Sequence, residues 1–398
     1  MKYKNTAYID SAALKNNYMT IQRICEESAL TSGKSMPTII CVVKADAYGH
    51  GVDIVARVLG DAGCGFFAVS SEEEALSLRE IEKMNGRAPE ILILGYVMPE
   101  NVSDMIENNV TCAVCDFENA RALAEANTTG KPLKVHVKLD TGMNRVGFNT
   151  DDERYLDTVS QIEEISRDDR LKIAGIFTHF SSADDELLCG RTVPGYEKFG
   201  GYTALQLSQY NRIVEELNSR GVEVGMRHTA NSAAILKLDG AHFDAVRAGI
   251  ILYGYRPDGA LDERIRPVMR FDSSVAHIHS VKRGEKISYG ASYEAERDMI
   301  VATVAAGYAD GFERAYNGCE VVIHGKKYLQ VGRICMDQCV IDVTPEDGCE
   351  CEVRVGDAVT LFGGDDGSSV NSLARRGGTI NYEVLCRVSK RVPRCEIK

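Results

Sequence analysis

A chain of 398 residues, 44% hydrophobic and 26% charged, has the make-up of a soluble globular protein and is too long for one ordinary core, so two domains are expected. Its formal net charge of −12 argues against nucleic acid or an anionic membrane as the main partner. No apolar stretch reaches the roughly 20 residues that span a bilayer, and Met1-Lys2-Tyr3-Lys4-Asn5 leads into no apolar signal core, so a cytoplasmic location is expected.

The first two-thirds alternates β-rich runs with helical segments. Runs at 38–43, 66–70, 91–94, 111–115, 133–139, 173–178, 223–228 and 244–246 read as eight strands. Ser71, with Glu74 three residues later, reads as a capping box that opens a helix. Residues 206–217 carry apolar side chains at helical spacing. Strands alternating with helices imply parallel pairing through crossovers. Eight such units over about 250 residues match an α/β (β/α)8 TIM barrel.

After Pro257-Asp258-Gly259 the pattern changes to short alternating strands at 274–281, 286–289, 321–325, 328–333 and 359–362, with one short helix around 370–375. Gly, Asp and Asn turns separate them, which predicts a mostly β C-terminal domain. The expected division is 1–262 and 263–398. The thirteen cysteines are scattered and read mostly as small buried hydrophobes. Cys112 and Cys115 have a C-x-x-C spacing, but on an apolar strand with no second pair and no histidine cluster, so no metal is assigned. Cys349 and Cys351 fall in an acidic loop.

Lys44 ends the first apolar run and opens Lys44-Ala45-Asp46-Ala47-Tyr48-Gly49-His50-Gly51. Its amine either leaves the strand for solvent or enters a site. Burial in a site would lower its pKa, and a neutral amine can hold an aldehyde such as pyridoxal phosphate as a Schiff base. Sites in such barrels lie at the carboxyl ends of the strands. Polar residues converge there: Lys138 and Arg145 around the fifth strand's end, His179 after the sixth, Asn231 and Ser232 after the seventh, and Arg247, Gly249 and Ile250 after the eighth. Ser232 reads as a helix N-cap or a phosphate ligand, and Gly249 as a plain turn or a close approach to an anion. Arg247 reads as a surface arginine or a charge inside the site.

Three barrel segments carry a specific resemblance: Val43 to Gly51, Asp140-Thr141-Gly142-Met143-Asn144-Arg145 and His228-Thr229-Ala230-Asn231-Ser232. Four more follow in the second domain: Ser288-Tyr289-Gly290, Gly307-Tyr308-Ala309-Asp310-Gly311, Val331-Gly332-Arg333-Ile334-Cys335-Met336-Asp337 and Thr379-Ile380-Asn381-Tyr382-Glu383. In this order, over nearly its whole length, the chain resembles the alanine racemase family of pyridoxal-phosphate enzymes.

The resemblance implies the barrel-plus-β architecture and the following roles. Lys44 would carry the cofactor. Tyr48, Ser232, Tyr382 and the backbone N–H groups of Gly249 and Ile250 would hold its phosphate, with Arg247 facing the pyridine nitrogen. Lys138, as a carbamate, would position Arg145; Arg145 and the Met336 backbone would receive the substrate carboxylate. Tyr289 would be the second base, reaching the site with Met336 from the partner subunit of a homodimer with shared active sites, and Tyr308 would narrow the shared entrance. D-Alanine for peptidoglycan would be the product's use.

Racemisation needs a base on each face of the α-carbon, and an amine and a phenol can form that pair. Tyr289 also reads as a strand tyrosine with a wet hydroxyl. A permanently charged arginine at the ring nitrogen would disfavour a proton there and weaken the electron sink, which favours racemisation over the chemistry of related decarboxylases. His179 and His228 read as orienting partners of Arg247 or the cofactor ring, or as satisfied interior residues. His50 receives no chemical role, and Asp337 reads as site support or a turn carboxylate. Two other readings stand beside alanine: a serine or broader racemase, because an added hydroxyl is hard to exclude, and a non-catalytic cofactor carrier, which would need only the first domain.

Overall fold

Strands buried on both faces are apolar almost throughout, and that is how the first half of the chain folds. In a computed structural model that describes residues 4–184, 195, 201–346, 349–364 and 368–398, the strands Thr38–Val42, Phe66–Val69, Glu90–Ile93, Val110–Val114, Leu133–Asp140, Leu171–Phe177, Met226–His228 and Ala245–Ala248 pair in parallel, each with its successor. Ala245–Ala248 pairs back onto Thr38–Val42 and closes the barrel. All eight predicted runs are strands, and the (β/α)8 fold is present.

Helices cover the outside. Asp10 caps the first, Ser11–Ser32, by accepting the Ala13 N–H at 2.8 Å. The periodic segment at 206–217 lies inside the helix Gly201–Ser219. Ser71 caps Glu72–Met84 by accepting from Glu74 N at 3.4 Å. Among the described residues no helix is long and apolar enough to cross a membrane.

The second sheet also closes, through antiparallel pairs. Met269–Val281 pairs with Ala358–Gly363, then the order runs through Glu320–Ile323, Lys326–Val331 and Cys339–Asp342 to Met299–Val304, which returns to Met269–Val281. The long strand spans both edges because its register shifts between Val275 and His277; such bulges bend a strand and let one segment serve two neighbours.

Three features differ from the residue pattern. Thr6–Asp10, at the start of the chain, joins the second sheet between Met269–Val281 and Arg394–Ile397. The predicted strand at 286–289 stops at Ile287, so Tyr289 opens a turn, Tyr289–Ala291. Besides Ser368–Gly377, a second helix, Asn381–Cys386, forms where the residue pattern shows none; it is short, and its apolar Val384 and Leu385 give no full helical period. Asn381 ties it to the chain after the barrel by donating to the Arg256 carbonyl at 2.9 Å.

Candidate active site

Register places the inner layer of the barrel. Lys138, Phe177 and His228 are successive Cα partners on adjacent strands. Phe177 therefore stacks on His228 with ring centroids 4.8 Å apart and planes 7° apart, and the Lys138 amine sits 5.8 Å above the Phe177 ring. His136 lies one inward position below Lys138, where Gly175 makes room: a Cβ there would come within 2.7 Å of the His136 ring.

Arg247 is buried, 3% exposed, not at the surface. No carboxylate pairs with it among the described residues. Nη1 donates to the His228 carbonyl and to His228 Nδ1, both at 2.9 Å; Nη2 donates to the carbonyls of Thr178 at 2.7 Å and Thr229 at 3.1 Å, and lies 3.3 Å from His179 Nδ1. A guanidinium only donates, so His228 Nδ1 must accept and its Nε2 carries the hydrogen. That hydrogen points at His136 Nδ1, 2.8 Å away. Burial lowers His136 to about 3 and holds His228 well below the ordinary value, with the Arg247 charge acting the same way. Arg247 itself is lowered by burial to about 10 and stays charged at neutrality.

Above this layer the strand ends open into a cleft of about 710 Å³, within the range of small-molecule sites. Lys44, Tyr48, Lys138, Arg145, His179, Ser232, Arg247, Gly249 and Tyr382 line it, and so does Asn231. Four of these are cationic, so the cleft suits an anion although the chain is acidic. Burial first, then Arg145, lower the Lys44 pKa, against an opposing pull from Glu74. Burial lowers Lys138 to about 8, with Cys115 opposing and Arg145 reinforcing the shift. His179 is held well below the usual range by burial, then by Arg247 and Arg145.

The chain after Lys44 makes a left-handed turn. Ala45, Asp46, Ala47 and Tyr48 all have φ of 53–54°, a conformation costing non-glycine residues roughly 1–2 kcal/mol each. Neighbours hold it. Asp46 Oδ1 accepts from Val52 N at 2.8 Å, Glu74 Oε1 accepts from Ala45 N at 2.6 Å, and His50 Nδ1 lies 3.0 Å from both the Ala47 and Tyr48 carbonyls. His50 is thereby structural.

Ser232 is not the N-cap. Asn231 caps Ser232–Lys237 by accepting from Ala234 N at 3.1 Å, which leaves Ser232 Oγ to accept the Gly249 N–H at 3.0 Å. A Cβ on Gly249 would sit 2.8 Å from the Tyr48 hydroxyl and 3.4 Å from Ser232 Oγ. Glycine keeps that space open. Tyr382 comes from the second domain, and its ring centroid is 5.9 Å from that of Tyr48. Ile250 is fully buried and its side chain does not line the cleft.

The loop carrying Arg145 hangs on one residue that the motif reading had not singled out. Asp140 accepts from the N–H groups of Gly142, Asn144 and Arg145 at 3.1, 2.9 and 2.8 Å. His136 was also missed, although Lys134, His136 and Lys138 alternate along one strand, a period-two polar signal.

Tyr289, Met336 and Tyr308 do not line this cleft. They are 71%, 53% and 38% exposed on the second domain, on loops that are joined to one another. Ser288 Oγ donates to the Arg333 carbonyl at 2.5 Å, and the N–H groups of Tyr308 and Ala309 donate to the Cys335 and Met336 carbonyls at 3.0 Å. Asp337 pairs with Arg391 at 2.7 Å, which also holds Asp310 at 2.7 Å. Cys112 and Cys115 are buried free thiols.

Residues 9–257 match the family model described as alanine racemase, N-terminal domain, and residues 268–396 match alanine racemase, C-terminal domain. The chain is 39% identical over 394 residues to the alanine racemase of Methanococcus maripaludis, covering 98% of this chain and 97% of that one. It is 40% identical over 367 residues to alanine racemase 1 of Clostridium acetobutylicum, covering 90% and 89%. Among solved structures, alanine racemase from Clostridium difficile 630 aligns with a TM-score of 0.86 at 36% identity, over 100% of this chain and 96% of that one. Alanine racemase from Bacillus anthracis with bound L-Ala-P aligns with a TM-score of 0.84 at 32% identity, over 100% and 96%.

Proposed function

The chain belongs to the alanine racemase family and interconverts L- and D-alanine, and from that premise we propose that the cleft around Lys44 is the site of the reaction, completed by a second copy of the chain. The observation that carries this reading is the convergence of Lys44, Tyr48, Ser232, Arg247 and Tyr382 on one cationic cleft at the carboxyl ends of the barrel strands.

The family is pyridoxal-phosphate-dependent, and the residues fit that group. Lys44 Nζ, with its pKa lowered by burial, would hold it. Its phosphate would lie in the space beside Gly249, among the hydroxyls of Tyr48, Ser232 and Tyr382, with the Ile250 N–H and, once it exchanges its bond to Ser232 Oγ for the anion, the Gly249 N–H. Arg247 would face the ring nitrogen, and its fixed charge keeps a proton off that atom. Bound there, the cofactor supplies the electron-withdrawing system that lets the α-hydrogen of alanine leave as a proton.

The chain's own groups do the rest. Lys44 Nζ takes or returns the α-proton on one face, and the Tyr289 hydroxyl of a second copy does so on the other. Arg145 draws the substrate carboxylate into the cleft, with the Met336 backbone of the second copy, and Tyr308 crowds the entrance against longer side chains. The lowered pKa of Lys138 leaves about a tenth of it neutral near pH 7, which is the form that can take up carbon dioxide as a carbamate. Tyr96 and Met98 are half-exposed beyond the barrel strand Glu90–Ile93. The exposed Tyr289, Tyr308 and Met336 sit on loops hydrogen-bonded to one another, one surface that supports pairing with a second copy.

The test is racemisation by the full-length protein with added pyridoxal phosphate, on alanine, serine and other small amino acids. Alanine is expected to lose optical rotation fastest, and Lys44→Ala to lose none. Faster turnover of serine would replace the substrate; cofactor absorbance with no turnover on any amino acid would leave only a carrier.

A further inference from the structure

We propose that Glu74 is a positioning residue for Lys44: its carboxylate clamps the end of the first barrel strand to the end of the second and so holds the left-handed turn that presents the lysine. The inference rests on the reading of Lys44 as the cofactor-bearing group. A capping box sends the third helical carboxylate back to the N–H of the cap residue itself. Here the cap is Ser71, yet the Glu74 carboxylate goes elsewhere. Oε2 accepts from Ser70 N at 2.8 Å and Ser70 Oγ at 2.9 Å, and Oε1 accepts from Ala45 N at 2.6 Å.

Ala45 is the residue after Lys44 and the first of four in the left-handed conformation. The leading N–H of any helical turn has no partner within it, so this donor needs an outside acceptor. A carboxylate is the strongest available. Both of its oxygens are committed, one to each strand end, so the carboxylate fixes the distance between them. The same anion favours the charged form of the Lys44 amine.

Glu74→Gln decides the matter, because an amide has one accepting oxygen and would turn N–H groups against the second donor. Ser71→Ala serves as its control, since it weakens the cap of the same helix without touching Ala45. Expected for Glu74→Gln are a kcat lower by about tenfold or more with KM nearly unchanged, and, in the cofactor-free full-length chain, a pH midpoint for Lys44 acylation that moves down. Ser71→Ala keeps the parent kcat and midpoint. Equal losses of kcat and melting temperature in both variants, or an unmoved Lys44 midpoint in Glu74→Gln, would reduce Glu74 to a helix cap and overturn the proposal. Lys44→Ala run in parallel separates the two readings: retained racemisation there refutes the role of Lys44, whereas a dead Lys44→Ala beside a fully active Glu74→Gln refutes only that of Glu74.

Discussion

Arg247 Nη1 lies 2.9 Å from Nδ1 of His228, and this contact sets the hydrogens of two buried rings. The guanidinium has only donors, so His228 accepts from it and donates onward to His136 at 2.8 Å. Among the described residues no carboxylate meets this buried charge; carbonyl oxygens and imidazole lone pairs surround it.

Arg247→Lys tests this arrangement. A lysine keeps the charge but cannot reach acceptors spread over a planar fork. Buried carbonyls left without donors cost roughly 1–3 kcal/mol each. Urea unfolding is expected to show a loss of about 2–4 kcal/mol, together with a reduced kcat. A variant as stable as the parent would mean that the fork is not what satisfies the barrel floor.

Gly249→Ala addresses the phosphate space. Its Cβ would lie 2.8 Å from the Tyr48 hydroxyl, a contact that real atoms relieve only by moving one of them. Affinity for pyridoxal phosphate, titrated by absorbance on the cofactor-free protein, is expected to fall by about tenfold or more, whereas melting temperature without cofactor changes little. Unaltered affinity would place the phosphate elsewhere.

Tyr289 and Lys44 lie on different domains of one chain, and only the lysine lines the cleft. Tyr289→Phe is expected to lower racemisation by about 10²–10⁴-fold, with deuterium exchange at the α-carbon surviving for one enantiomer alone. Mixing Tyr289→Phe with Lys44→Ala and allowing subunits to redistribute should restore up to about a quarter of the parent activity, because half the random dimers carry one intact site. No recovery after verified exchange would exclude a site shared between copies.

His50 gives a pH signature of the fold. Burial lowers its pKa to about 4, below the ordinary value of about 6.5. The unfolded chain therefore takes up a proton below about pH 6.5 while the folded chain does not, and stability falls as pH drops towards 4. At pH 5 the loss from this one ring is about 2 kcal/mol. His50→Asn keeps a donor near the Ala47 and Tyr48 carbonyls but cannot titrate. The difference in urea stability between pH 7 and pH 5 should shrink by about 2 kcal/mol in that variant; an unchanged difference would show that the ring is neither buried nor neutral.

Much of the barrel was legible because its signal is local. A parallel strand covered on both faces is largely apolar, so Thr38–Val42 and Val110–Val114 announce themselves as runs. A lysine directly after such a run, and polar residues after four others, mark the carboxyl ends where the site forms. The motifs that carry the family resemblance are local in the same way.

Whatever depends on partners distant in sequence was decided only by the tertiary structure. Thr6–Asp10 is a strand through pairing with Met269–Val281 and Arg394–Ile397, both distant in sequence. Nothing in Ala45-Asp46-Ala47-Tyr48, which lacks glycine, announces a left-handed turn; Glu74, Val52 and His50 impose it from outside. Ser71 and Glu74 were readable as a cap, but the destination of the carboxylate was not, because Ala45 meets Glu74 only once the two strands lie side by side. Composition and periodicity thus marked which segments supply the core, since apolar runs leave water wherever the chain places them. Hydrogen-bond partnership, the burial of Arg247 and the gathering of the cleft are properties of closure, which no local pattern encodes.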